Sequence, residues 1–484
     1  MSNFLKKYYN LSLPVKATFW FTVCNLILKG ISFITVPIFT RILPANEYGA
    51  LSIFLSYEQI IMILATWEIQ NGAYQKGLFK YKKNIRIFTV STQALVNILT
   101  IIFFLIVFAG RKWFEQATGM PNSIIILLFV YLLVQPSYTC WLIRKRTEYA
   151  YRSAIIVTLL YTILNIGIPM FAILYIDNTA VVKYGATLIS SIFVCLFFFI
   201  PNMKPQLVFK RMGEIKKQWI FLIKFEAPLV LHSLSYLILS QADRIMIGFM
   251  VGNSEAAYYS VAYSLASVVN IFQNSINQAL LPWRYEMLEK KNYKKIFDIT
   301  TYLLLGMAGI VIIVVLIAPE VMKILFEDNY YEAVWSMPPI TAGVYFMFLY
   351  TIFVNIESYF EKTQYIMYVS VTCGILNIIL NYLCINRFGY IACGYTTLVS
   401  YIFFSFGHFY FMNRIIKKEL IEAQIINKRA TFLISFMVII LSVAITLIYP
   451  YAFIRYGVLV CIVIYIVINR KNIEKIFKQI KNGY

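Results

Sequence analysis

Runs of apolar residues, each close to the length a helix needs to cross about 30 Å of hydrocarbon, recur from one end of the chain to the other. They fall at 16–38, 49–67, 85–108, 122–142, 153–174, 180–200, 219–249, 255–281, 298–318, 334–356, 363–383, 388–411, 430–449 and 452–469. Polar and charged residues collect in the short segments between them, and almost nothing is left over for a soluble domain. The pattern predicts an all-α membrane protein of about 14 transmembrane helices.

Composition sharpens this. The 484 residues are 60% hydrophobic and only 13% charged, so a water-soluble globule would have to hide more apolar surface than its volume allows. The formal charge of +21 would suit a nucleic-acid partner only if the basic residues met on one face of a folded domain. They sit instead in alternate loops: Lys6, Lys7 and Lys16, then KGLFKYKKNIR, IRKRTEYAYR, Lys204 to Lys217, Arg284 to Lys295, Arg414 to Arg429, and the tail from Arg470. The positive-inside bias then puts both termini in the cytoplasm. The excess charge reports topology and contact with anionic membrane lipids, with no nucleic acid implied. The first apolar run is too long for a cleaved signal and is expected to remain. The seven cysteines lie in or beside apolar runs without metal-ligand spacing and are expected to pack.

Two passages match in position: IFTRILPANEYGALSIFLS at 38–56 and QADRIMIGFMVGNSEAAYYSVAYSLAS at 241–267. Each has an arginine followed by isoleucine near a helix end (Arg41, Arg244), a short turn, a glutamate (Glu47, Glu255), and then tyrosine and small residues opening the next helix. The repeat predicts an N-lobe of six helices (1–200) and a parallel six-helix C-lobe (201–412) around a central lumen. Residues 413–484 add a basic linker, two further helices and a tail.

Those passages carry a resemblance. The fourteen-span plan, PIFTRILPANEYG, FEAPLVLHSLSYLILSQADRIMIG and YYSVAYSLA together resemble the polysaccharide (O-antigen type) flippases of the multidrug/oligosaccharidyl-lipid/polysaccharide exporter superfamily. The resemblance implies alternating-access transfer of an undecaprenyl-diphosphate-linked oligosaccharide from the cytoplasmic to the outer leaflet of a bacterial plasma membrane, without a cofactor. It also implies O-antigen, capsule or lipopolysaccharide synthesis as the setting, with the polymerase and glycosyltransferases of the same pathway as partners.

Charged side chains in mid-membrane cost several kcal/mol and normally face water or a partner. Lys29 and Glu58 lie deepest, near the middle of the first two runs. Lys224, Glu226 and His232 flank Pro228, and Asp243 lies further along the same run. Helical spacing aligns Thr22, Asn25, Lys29 and Ser32, and likewise Ser52, Ser56, Gln59 and Thr66. Ser260, Ser264, Ser267, Asn270, Asn274 and Asn277 form a third stripe, and Ser370, Asn377 and Asn381 a fourth. Such residues either bind helices together within the bilayer or face a wet path.

On the second reading Lys29, Asn25, Ser32, Gln59, Lys224, Asn270, Asn274, Asn277, Asn377 and Asn381 contact substrate, and Lys29 suits a diphosphate. Glu58, Glu226 and Asp243 are the candidates for ion coupling. Arg41 and Arg244 fit interfacial anchors, and His232 and His408 stand alone by spacing. A cation-coupled drug exporter is the alternative within transport. Outside it stands a membrane-embedded glycan polymerase or acyltransferase, which would need an acid, base or nucleophile cluster that the longer loops at 109–121 and 319–333 do not offer. There is no nucleotide-binding loop motif either.

Overall fold

The computed structural model describes residues 12–204, 206, 210–419 and 424–468, and every regular element among them is helical. Lys6, Lys7 and the tail from Arg470 lie outside the described residues, as does 420–423 of the basic linker. The chain is a multi-pass membrane protein. Eleven of the described helices are long and apolar enough to cross a membrane.

In chain order the first helices are α1 (Leu13–Ile42), α2 (Ala45–Thr66), the short α3 (Gly72–Lys80), α4 (Ile85–Ala109), the short α5 (Arg111–Thr118), α6 (Asn122–Thr147), α7 (Tyr151–Tyr175) and α8 (Ala180–Phe199). A long α9 (Met212–Met250) follows, then α10 (Asn253–Ala266), α11 (Val268–Glu289), α12 (Tyr293–Leu325), α13 (Met337–Tyr359), α14 (Thr363–Phe388), α15 (Ala392–Glu419), α16 (Lys428–Leu447) and α17 (Ala452–Ile468). Local chemistry sets many of the boundaries. Pro44 and Pro121 stand immediately before α2 and α6, where a missing N–H costs nothing. Asn427 caps α16 by accepting from Ala430 N at 3.0 Å. Gly119, at φ +68°, ends α5 in a left-handed conformation that suits glycine.

Three of the expected runs show particular features. The run at 255–281 is interrupted at Ser267, where the Ser264 and Ser267 hydroxyls donate to the carbonyls of Val261 (2.8 Å) and Ser264 (2.7 Å). Such bonds compete with the helical ladder and bend it. The run at 388–411 becomes α15, which buries Thr396, Thr397, Ser400, Ser405 and His408 while Val399, Phe403, Phe406 and Tyr410 stay exposed. The last run forms α17, which is helical from Ala452 to the last described residue, Ile468.

The helices group into two compact units, 1–238 and 239–484, with the division inside α9. In the first, α2 and α6 form the interior while α1 and α7 bury little of themselves. In the second, α13 is the most enclosed helix, 89% buried over its apolar window and packed by α10, α11, α12, α15 and α16. Glycine permits a close approach of α13 to α15, where a Cβ at Gly343 would lie 2.9 Å from Tyr401, and one of α15 to α14, where a Cβ at Gly407 would lie 2.7 Å from Val369.

Candidate functional site

In the first unit Thr18, Thr22, Asn25, Lys29 and Ser32 form a continuous exposed stripe along α1. The Thr18, Thr22 and Ser32 hydroxyls donate to carbonyls one turn back at 2.9 Å, so they need no outside partner. Lys29 has no acceptor in its own helix, and among the described residues it makes no ion pair. A lysine ammonium cannot rest against hydrocarbon, so this face of α1 meets water, headgroup or ligand.

Glu58, the other deep charge, is held elsewhere. It is half-buried on α2, accepts from Tyr184 Oη at 2.8 Å and feels the charge of Lys183; both partners lie on α8. Lys183 in turn lies 4.7 Å from the centroid of the Phe39 ring. Gln59 is half-buried, its amide 3.4 Å from Leu55 O. Lys224 is exposed, whereas Glu226 on the same helix is only 4% exposed. Glu226 accepts from Ala73 N at 2.8 Å in the first turn of α3, and a Cβ on Gly72 would come within 3.3 Å of both its oxygens. Glu226 thus caps α3, a structural task that sequence spacing could not reveal because the partners are 153 residues apart.

In the second unit Asp243 on α9 is completely buried within a network of oxygen groups. Its Oδ2 accepts from Thr397 Oγ1 at 2.7 Å and from the Tyr259 hydroxyl, and its Oδ1 accepts from Asn381 Nδ2 at 2.7 Å. Asn381 Nδ2 also reaches Asn377 Oδ1 at 3.3 Å, Asn377 Nδ2 reaches Thr397 Oγ1 at 3.4 Å, and Thr396 Oγ1 donates to Asn381 Oδ1. Arg244, next in the chain, turns aside: it donates to Ser240 O (2.7 Å) and Gln241 Oε1 (2.9 Å) and lies over the Tyr263 ring. Asn381 is therefore a buried partner of Asp243 in this structure, and Asn377 joins the network through Asn381 and Thr397. One carboxylate with carbonyl and hydroxyl oxygens suits a proton or a hard cation of low charge.

The stripe on α10 and α11 divides. Asn274 is exposed and Asn270 half-buried, while Asn277 Oδ1 accepts from Asn355 Nδ2 at 2.7 Å on α13. Gln273, which the sequence did not single out, donates to Met347 O (3.2 Å) and Thr351 Oγ1 (3.0 Å) on the same helix. Nor did spacing find the partner of His408, which proves to be Glu357 on α13; each is fully buried.

Residues 15–288, more than half of the chain, match the family model described as polysaccharide biosynthesis protein. The chain belongs to this family. As a polysaccharide biosynthesis protein it also matches a second model, MatE, over 228–383. Among its relatives are the Lsg locus putative protein 1 of Haemophilus influenzae (26% identical over 266 residues, 54% of this chain and 64% of that protein) and an uncharacterized membrane protein of Methanocaldococcus jannaschii (24% over 280 residues, 56% and 51%). The matches thus span less than two thirds of the length of these relatives. A second Haemophilus influenzae membrane protein is 25% identical over 366 residues, 74% of this chain and 87% of its own length.

Among solved structures the polysaccharide biosynthesis protein is similar in fold to the lipid II flippase MurJ in an inward closed conformation. The TM-score is 0.64 at 13% identity, over 95% of this chain and 99% of that one. It is also similar to an inward-facing multidrug resistance MATE family transporter of the MOP superfamily, with a TM-score of 0.61 at 12% identity over 83% and 100%.

Proposed function

We propose that this protein is a flippase that carries an undecaprenyl-diphosphate-linked oligosaccharide from the cytoplasmic to the outer leaflet of a bacterial plasma membrane by alternating access, driven by an ion. The observation that carries the reading is the exposed α1 stripe with Lys29 at its centre. A cation on an otherwise apolar membrane helix is tolerated where a wet path or an anionic ligand meets it, and a diphosphate supplies charge-assisted acceptors for it. Family membership supports a polysaccharide precursor as cargo, and the fold shared with a protein titled lipid II flippase supports movement of a lipid-linked glycan. The work is transport and not bond chemistry, both termini are cytoplasmic, and the polymerase and glycosyltransferases of the pathway are its partners.

Asp243 is the coupling site in this reading. A buried carboxylate whose neighbouring arginine is otherwise engaged is costly while charged, so it favours a bound proton or monovalent cation. The same residue and the MatE match over 228–383 favour a second reading, a cation-coupled drug exporter. Liposomes containing the purified protein, a fluorescent lipid-linked oligosaccharide and a leaflet-specific quencher separate the two. Ion-dependent movement of the intact lipid that a cationic dye does not inhibit is expected. Dye efflux without lipid movement would overturn the flippase reading, and covalent change of the glycan would mark an enzyme.

A further inference from the structure

His408 on α15 places Nδ1 3.1 and 3.0 Å from the two carboxylate oxygens of Glu357 on α13. Neither side chain has any exposed surface. The Tyr350 and Phe404 rings stand 4.8 Å from the imidazole centroid, and His408 Nε2 is buried with no hydrogen-bond partner among the described residues. The surroundings are apolar, and the ring has nothing else to bond.

Charge counting then distinguishes two states. With Glu357 ionised and His408 neutral the pair holds one uncompensated negative charge away from water, which costs several kcal/mol. One added proton makes the pair neutral overall, whether it rests on the carboxyl or the imidazole. Among the described residues neither member makes a second ion pair. Tyr350 is the titratable group in contact with the ring. Arg284 and Tyr285 on α11, Asp298 on α12, Tyr365 on α14 and Arg429 on α16 belong to the helices around the pair, and none is hydrogen-bonded or ion-paired to either member.

A polar cavity lies past the end of α13. Glu357 is in the last turn of that helix, four residues before Glu361, which stands beyond the helix end in a left-handed conformation at φ +57°. Glu361 lines this cavity of about 430 Å³ together with Lys362, Tyr365, Arg414, Lys418 and Glu419, and Lys362 and Glu419 pair across 3.7 Å. Asp243 is remote from it: its partner Thr397 stands eleven residues, about 16 Å, back along α15.

We propose that Glu357 and His408 form a proton-binding site of the second unit, distinct from Asp243, filled from the cavity at the ends of α13 and α15 and used in transport. The proton comes from water in that cavity and returns to it, with no other bond made or broken. Its use in transport rests on the flippase reading above, whereas proton binding itself does not.

The chain has two histidines, so His232→Gln leaves His408 as the only source of imidazole signals. In lipid nanodiscs with 15N-labelled histidine, that variant is expected to show one change of imidazole protonation or tautomer between about pH 7 and 10, with the Glu357–His408 pair itself unaltered. An invariant imidazole spectrum from folded protein across this range overturns the proposal. In proteoliposomes at fixed membrane potential, the parent's flipping rate should change by about tenfold per pH unit on one limb of its profile, and Glu357→Gln should flatten that limb to about twofold or less. A profile unchanged by folded Glu357→Gln protein would overturn the use in transport. If the parent flips no lipid at any pH while His408 titrates, the flippase reading fails and the proton site stands. The nanodisc measurement needs no substitution in the pair, so it decides the matter even if Glu357→Gln does not fold.

Discussion

Asn381 Nδ2 lies 2.7 Å from Asp243 Oδ1, joining residues 138 positions apart in the sequence at a place with no solvent exposure. The amide orients the carboxylate that Tyr259 and Thr397 also address. If a cation binds here, it binds to the folded form and raises its stability by mass action. In nanodiscs the parent should melt at a higher temperature in sodium or at low pH than in a choline buffer at high pH. Asp243→Asn should abolish the sodium part of that difference at near-normal expression and remove sodium dependence from flipping. Asn381→Ala should retain binding weakened by about tenfold or more, as expected when one buried hydrogen bond to a charge is lost.

Lys29 and Glu58 answer to different partners, since Glu58 is held by Tyr184 and Lys183 on α8. Removing both charges is therefore not a neutral exchange. Lys29→Met should abolish flipping at normal protein levels, and Lys29→Arg should keep part of it because the charge survives. The Lys29→Met, Glu58→Gln double variant should remain inactive, as read by the fluorescent-lipid assay. Full activity of the double variant would show that transport does not need Lys29 to bind phosphate.

Cysteines along α11 should follow its divided surface. In single-cysteine proteins, positions 270 and 274 should react with small aqueous thiol reagents and be protected by substrate, while 269 and 273 stay inert. Val269 is fully buried and Gln273 is 7% exposed. Asn355→Ala strips Asn277 of its 2.7 Å donor and should cost about 1–2 kcal/mol of stability, seen as a lower melting temperature.

Orientation is checked at two exposed positions, Asn253 and Gln424. A cysteine at 253 should react with an impermeant maleimide in intact cells, and one at 424 only after the membrane is opened. The reverse pattern would invert the topology drawn from the basic loops.

Hydropathy made the helices legible because a span must satisfy its own backbone and face lipid over much of its surface. It missed one break: α10–α11 reads as one span because a serine's bond to its own backbone leaves no trace in hydropathy. Among candidate residues, Lys29, Glu58, Glu226 and Asp243 stood out as charges in apolar runs. Their partners did not, because Glu58 with Tyr184 and Glu226 with Ala73, like Glu357 with His408, are brought together only by tertiary packing. Glu357 escaped notice altogether, since it sits where an apolar run ends and a charge looks unremarkable.

The interruption at Ser267 has a mechanical consequence. Before it, α10 touches Asp243 through Tyr259; after it, α11 is fastened to α13 through Gln273 and Asn277. An unbroken rod would pass any tilt at Tyr259 straight to those fastenings. If a cation binds at Asp243, a jointed rod lets α10 follow its arrival or departure while α11 keeps its grip on the other side of the joint.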